Sequence, residues 1–141
     1  MLNDEKIEAM LSECTGYKLK PYYYFYCVIT ANFTKTMLLG SLAGLANKSY
    51  IVGLNEDELV LINLSMSGKP NGSSIVPRSY VKSTKVSNWM FGIGKKLYFT
   101  LEDGTKLKLK ANKVCMGIKK QKENLLSIQG LVNRMGYGSQ M

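Results

Sequence analysis

The sequence predicts a mainly β, α+β domain: a bent antiparallel barrel of seven or so strands, with a short N-terminal helix and a C-terminal capping helix. Three observations predict it. Lys95 to Asn112 (KKLYFTLEDGTKLKLKAN) alternates apolar and polar residues through Leu97, Phe99 and Leu101 and again through Leu107 and Leu109, the period of two that a half-buried hairpin demands. Upstream, Tyr22 to Phe33, Ser49 to Leu54 and Glu58 to Leu64 are runs of aromatic and β-branched residues bounded by turn formers. Downstream, Met116 to Met135 places apolar residues at helical spacing, so the strands are followed by an element able to cover them.

Taken in order, residues 4–14 read as an amphipathic helix. Ile7, Met10, Leu11 and Cys14 share one face, Asp4 and Glu5 sit in the first turn, and Gly16 ends it. Tyr22 to Phe33 is the first strand, and Thr36 to Asn47 reads as a small-residue helix or packed loop. Ser49–Leu54 and Glu58–Leu64 form a hairpin around Asn55-Glu56-Asp57. Leu59 to Ile62 is apolar at every position, which predicts a strand covered on both faces. Ser65 to Ser74 is a loop by composition. Ile75 to Val86 supplies two strands divided near Pro77 to Tyr80, with a break in alternation that predicts a bulge at Lys82-Ser83.

The Lys95–Asn112 hairpin admits two registers. A two-residue turn would set Phe99 opposite Lys108, mixing core with charge. A three-residue turn, Glu102-Asp103-Gly104, sets Phe99 against Leu107 and Leu97 against Leu109, and puts Gly104 where positive φ is needed. That register is predicted, because a slip of one residue turns a strand inside out. In the closing helix Ile118, Leu125, Ile128, Val132 and Met135 form the inner stripe, and Lys119, Lys120, Lys122 and Glu123 face water. The expected division is residues 1–20 as a helical extension, 21–135 as the barrel with its helix, and 136–141 as a flexible tail.

Composition narrows the chemistry. The chain has 141 residues, enough to bury a core, with 45% hydrophobic and 21% charged residues. It has no histidine, so Ser-His and Cys-His nucleophile pairs and Cys/His zinc sites cannot be built. The 3 cysteines are widely spaced, which argues against a disulfide framework and for a reducing, cytoplasmic setting. The start, MLNDEKIEAML, lacks the pattern of a signal peptide. The net charge of +9 is uneven: residues 1–70 carry 6 Lys against 7 Asp/Glu, and residues 71–141 carry 13 Lys/Arg against 3 Asp/Glu. An anionic partner, if the chain has one, is therefore expected to dock on the second half.

The segments SYIVGLNEDELVLINL, SIVPRSYVKSTKV and KKLYFTLEDGTKLKLKANK, followed by a Lys-rich helix, resemble the bacterial pleckstrin-homology-like domains of Gram-positive organisms. The resemblance covers about residues 48–135, with Tyr22 to Phe33 as the first barrel strand. It implies a seven-stranded bent barrel plugged by its last helix, and contacts with proteins or with itself before catalysis. The basic cluster with which eukaryotic relatives hold phosphoinositides has no counterpart here. Between Tyr22 and Leu54 stand only Lys35 and Lys48, and the following turn is acidic.

Two candidate sites remain. Lys96, Lys106, Lys108, Lys110 and Lys113 form a lysine comb, with Lys96 opposite Lys110. Such a comb blunts an exposed strand edge or meets an anion. Trp89, Met90, Phe91 and Ile93 form an apolar loop between glycines and lysines. Trp89 and Phe91 are expected to fold back and plug the barrel; left exposed, the loop would touch a membrane or a partner. No catalytic residues, cofactor or metal are assigned. The sequence thus reads first as a non-enzymatic binding or scaffold module for a protein partner or a second copy. The alternative is peripheral binding to anionic lipid; nucleic acid is disfavoured, with 2 arginines in the chain.

Overall fold

The computed structural model describes residues 2–16, 23–31, 42 and 48–135. Helix α1 spans Asp4–Thr15, followed by strands β1 (Tyr23–Ala31), β2 (Ser49–Leu54), β3 (Glu58–Leu64), β4 (Pro70–Pro77), β5 (Val81–Trp89), β6 (Gly94–Leu101) and β7 (Lys106–Asn112), and helix α2 (Gln121–Met135). The strands form one antiparallel sheet in the order β4-β3-β2-β1-β7-β6-β5. The expected barrel does not close. β4 and β5 end the strand order, joined by the 3-10 turn Arg78–Tyr80 instead of a ladder.

The sheet nevertheless curls. Phe25, Leu54, Leu59 and Val76 from one half share a single core with Leu97, Phe99, Leu101, Leu107 and Leu109 from the other, and Leu125, Ile128 and Leu131 of α2 cover them. The β6–β7 register is the predicted one, Phe99 with Leu107 and Leu97 with Leu109, and Gly104 takes φ 91 in its turn. β5 slips register between Val81 and Ser83, where the broken alternation placed the bulge. β2 and β3 match their expected bounds, and every residue of β3 is buried. Its two faces serve two clusters: Leu59 and Leu61 point to the main core, while Val60, Ile62 and Leu64 pack with Ile7 and Leu11 of α1.

Two expectations change, and others fall outside the described residues. β4 begins at Pro70, inside the stretch predicted as loop, and its first four residues are exposed, so no buried face announced it. Proline is tolerated there because β4 ends the strand order and Pro70 opens it. The closing helix starts at Gln121 instead of Met116; Gly117 sits at φ 86 and the chain turns through Ile118 before coiling. The Thr36–Asn47 element, the ends of the first strand, and the 136–141 tail fall outside the described residues, apart from Leu42, which is buried in the main core.

Polar contacts fix both helices. β1 pairs with β7 from Val28 to Ala31, and over its earlier part the described ladder runs to β2 alone. There the buried Gln121 side chain takes over: its Oε1 accepts from Tyr26 N–H (2.8 Å), and its Nε2 donates to the carbonyls of Tyr26 (2.8 Å) and Asn112 (3.0 Å). Asn124 Nδ2 donates to the Tyr24 carbonyl one turn on. α1 is capped by Asn3, whose side chain accepts from Lys6 N–H, and ends at Gly16 in the left-handed region. Its Asp4 carboxylate accepts from Tyr24 Oη (2.6 Å), Lys119 N–H (2.6 Å) and Lys120 N–H (3.1 Å), tying α1 to the sheet and to the turn before α2.

Burial by itself raises the Asp4 carboxyl, but the hydrogen bonds from Tyr24, Lys119 and Lys120 outweigh it and hold the group below its ordinary value. Burial and the nearby Asp4 push the Tyr24 hydroxyl up. A carboxyl depressed on folding stabilises above its unfolded value, about 3.9, and loses that contribution as pH falls toward the folded one.

Two outcomes follow for stability. Gln121→Leu strands two carbonyls and an amide, and is expected to lower the unfolding free energy by about 2–4 kcal/mol in urea titration; Lys122→Leu, on the exposed side of α2, should stay within about 0.5 kcal/mol. Asp4→Asn should lower the urea midpoint at neutral pH, with the gap from the parent protein closing below about pH 4. A gap of equal size at acid and neutral pH would show that the carboxylate charge is not what holds α1.

Candidate functional site

The outer face of the sheet is divided. Over β1 to β3 it is apolar and lies under α1, with Tyr24, Ile51, Val60, Ile62 and Leu64 packed against Ile7 and Leu11. Over the end of β1 and over β7, β6 and β5 it carries lysines. Register sets them in rows across the strands: Val28–Lys110–Lys96–Ser87, then Thr30–Lys108–Tyr98–Lys85, then Lys106–Thr100–Ser83. The period of two that buries Leu107, Leu109 and Ala111 turns Lys106, Lys108 and Lys110 to the exposed side. No acidic residue stands opposite any of these lysines in either ladder.

This corrects the edge explanation of the comb. β7 is paired on both sides, with β1 and with β6, so its lysines shield no free backbone. Strand order decided this, and strand order was not written in the local pattern. The structure adds Lys85 to the face, as the neighbour of Tyr98. Lys113 lies just past β7, where its N–H donates to the Ile93 carbonyl (2.9 Å). The backbones of Lys119 and Lys120 are drawn to Asp4 at the start of α1, away from the comb.

The apolar loop lies at one end of this face. Trp89 pairs with Gly94, and its half-buried indole covers that glycine, where a Cβ would lie 2.8 Å from Trp89 Cε3 and also strike the Ala111 carbonyl. Lys110 Nζ stands 5.9 Å from the indole centroid, a cation–π contact. The expected plug does not form. Phe91 is 107% exposed and sits at φ 59, ψ 29, a left-handed conformation that strains a bulky residue. Ile93 is 59% exposed. Beyond the Lys113–Ile93 bond the chain continues through Val114 and Met116, which are 82% and 79% exposed. Sequence reading singled out neither: Val114 fell between elements, and Met116 was assigned to the closing helix.

Elsewhere the chemistry is sparse. Among the described residues no three of Cys, Asp and Glu converge as metal ligands. Burial pushes the Cys27 thiol well above its usual value, which suits a core residue and not a nucleophile. A groove of about 420 Å³ between α1 and the β3–β4 turn is lined by Leu2, Met10 and Pro70, with Lys6, Glu13 and Lys69 at its walls; it belongs to the other half of the sheet. Among the described residues no helix is long and apolar enough to cross a membrane.

No family model matches the chain, and no curated protein matches its sequence. Among solved structures it is similar to the pleckstrin homology domain of USP37, with a TM-score of 0.47 and 13% identity over 80% of this chain and 95% of that one. It is similar also to the hSac2 domain from human phosphoinositide phosphatase Sac2, with a TM-score of 0.47 and 9% identity over 100% of this chain and 88% of that one. At these scores neither likeness bears on what the chain binds, and the architecture rests on its own strand pairing.

The Trp89–Gly94 contact yields a direct outcome. Gly94→Ala pushes a methyl against the Ala111 backbone and the indole, and should cost about 1–3 kcal/mol in a thermal melt. The displaced Trp89 should emit further to the red; an unchanged melt and spectrum would mean that the indole does not lie over the glycine.

Proposed function

We propose that this chain is a non-enzymatic, pleckstrin-homology-like binding module of the bacterial kind, and that it docks peripherally on an anionic membrane surface. The lysine face of β5, β6, β7 and the end of β1 meets the lipid charge, and the rim of Phe91 and Ile93 enters the interface. The observation that carries this reading is Phe91: a strained, wholly exposed ring at the end of a basic sheet face. Apolar residues flanked by cations are the composition with which peripheral proteins hold an interface.

The reading first favoured by the sequence, contact with a protein or a second copy, uses the same surface. Self-association there sets lysine against lysine, which is why an anionic surface is preferred. An acidic protein partner would satisfy the charge and could seat Phe91 in a pocket, and the vesicle experiment separates it from the lipid surface.

Vesicle co-sedimentation tests this. The protein should pellet with anionic vesicles, remain in solution with neutral ones, and lose binding as salt shortens the screening length. Phe91→Ser should weaken binding about tenfold, the worth of one partly inserted aromatic side chain. Equal recovery on neutral and anionic vesicles would overturn the reading. A dimer seen by light scattering at high concentration, together with failure to pellet, would favour self-association.

A further inference from the structure

The lysine face is not uniform. Of the outward residues on β6, Tyr98 and Thr100 are neutral, so Lys108 and Lys106 each face an uncharged neighbour. Lys110 alone faces another lysine, Lys96, directly across the ladder. Residues so opposed have Cβ atoms about 5 Å apart, and like charges there destabilise the sheet. The row continues to Val28 on one side and Ser87 on the other, and neither neutralises the pair. β7 is an interior strand, so protection of an edge does not account for the pair either.

Resting on the membrane reading above, we propose that Lys96 and Lys110 form a clamp for a single dianionic phosphate, the phosphomonoester of a lipid headgroup. The site sits on the outer face of β6 and β7, on strands and not on a loop, so its spacing is fixed by the ladder. Two ammonium groups on neighbouring strands can each donate to a different oxygen of one tetrahedral group, and its two charges cancel theirs. A phosphodiester brings one charge and leaves one lysine uncompensated. A phosphomonoester is close to doubly charged at neutral pH. The Ser87 hydroxyl, on the far side of Lys96, is the neutral donor nearest in the row.

The resting position of Lys110 supplies the reporter. Its ammonium stands over the Trp89 ring, and drawing it toward a phosphate between β6 and β7 removes a cation from the indole face. Trp89 is the single tryptophan of the chain, so its emission reads the clamp directly.

The experiment uses the full chain with three probes: inorganic phosphate, vesicles of neutral lipid with a phosphomonoester lipid, and vesicles with a phosphodiester lipid matched for surface charge. The parent protein should bind phosphomonoester vesicles about tenfold more tightly than the charge-matched ones, with a change in Trp89 emission. Lys96→Gln and Lys110→Gln should each abolish that preference. Lys106→Gln, which removes the same charge from the far end of the comb, should weaken binding to both vesicles and keep the preference. Equal affinity for both anionic vesicles overturns the clamp and leaves the membrane reading standing. Failure to bind any vesicle overturns the membrane reading and the lipid as the phosphate's source, and if Trp89 also fails to respond to inorganic phosphate the clamp falls with them.

Discussion

A sheet that must curl cannot keep every ladder intact, and the fold depends on how this chain meets that constraint. Among the described residues β1 holds β7 from Val28 to Ala31 and is apart from it before Val28, which would leave backbone groups of Tyr26 and Tyr24 without the ladder on that side. Buried amides and carbonyls without partners are rarely tolerated. Gln121 and Asn124 answer them from α2, so the helix is both lid and substitute strand. The apolar stripe of Leu125, Ile128 and Leu131 then follows on the same face and completes the core. Packing alone would leave α2 free to slide; the amides fix where it starts.

The same geometry explains the unequal outer face. Where β1 pairs with β2, its outward Tyr24 joins an apolar strip that needs a cover, and α1 provides it, fastened by Asp4. Where β1 pairs with β7, the outward residues become Val28, Thr30 and lysines, which need none. One sheet thus carries a sealed side and an open basic side, and the boundary runs along β1. The charge imbalance between the chain halves is the linear image of this division, since the open side is built mainly from the later strands.

Local pattern made much of this legible. Alternation fixed the β6–β7 register down to Lys96 facing Lys110, and the interruption after Val81 located a bulge before any partner strand was known. Apolar residues on both faces of β3 announced two covers, which are α1 and the main core. What escaped depends on contacts distant in sequence. β4 opens with exposed residues, so periodicity had nothing to report. The anchoring roles of Gln121 and Asn124 were not legible, because their partners on β1 lie about a hundred residues earlier. Whether Lys108 sat at an edge was undecidable until β1 was found beside β7. Phe91 misled for another reason: burial is the common fate of an aromatic ring, and the left-handed backbone that turns it outward leaves no mark in composition.

A sheet left open at both ends invites fibrous growth, since unpaired strands template their own kind. Here each terminal strand carries its own deterrent. β4 begins and ends with proline, which cannot donate to an incoming chain. β5 is kinked by its bulge and bears Lys82 and Lys85 exposed along it. Protection of this kind lets the fold dispense with closure, and a chain so guarded can be concentrated at a surface without seeding deposits of itself.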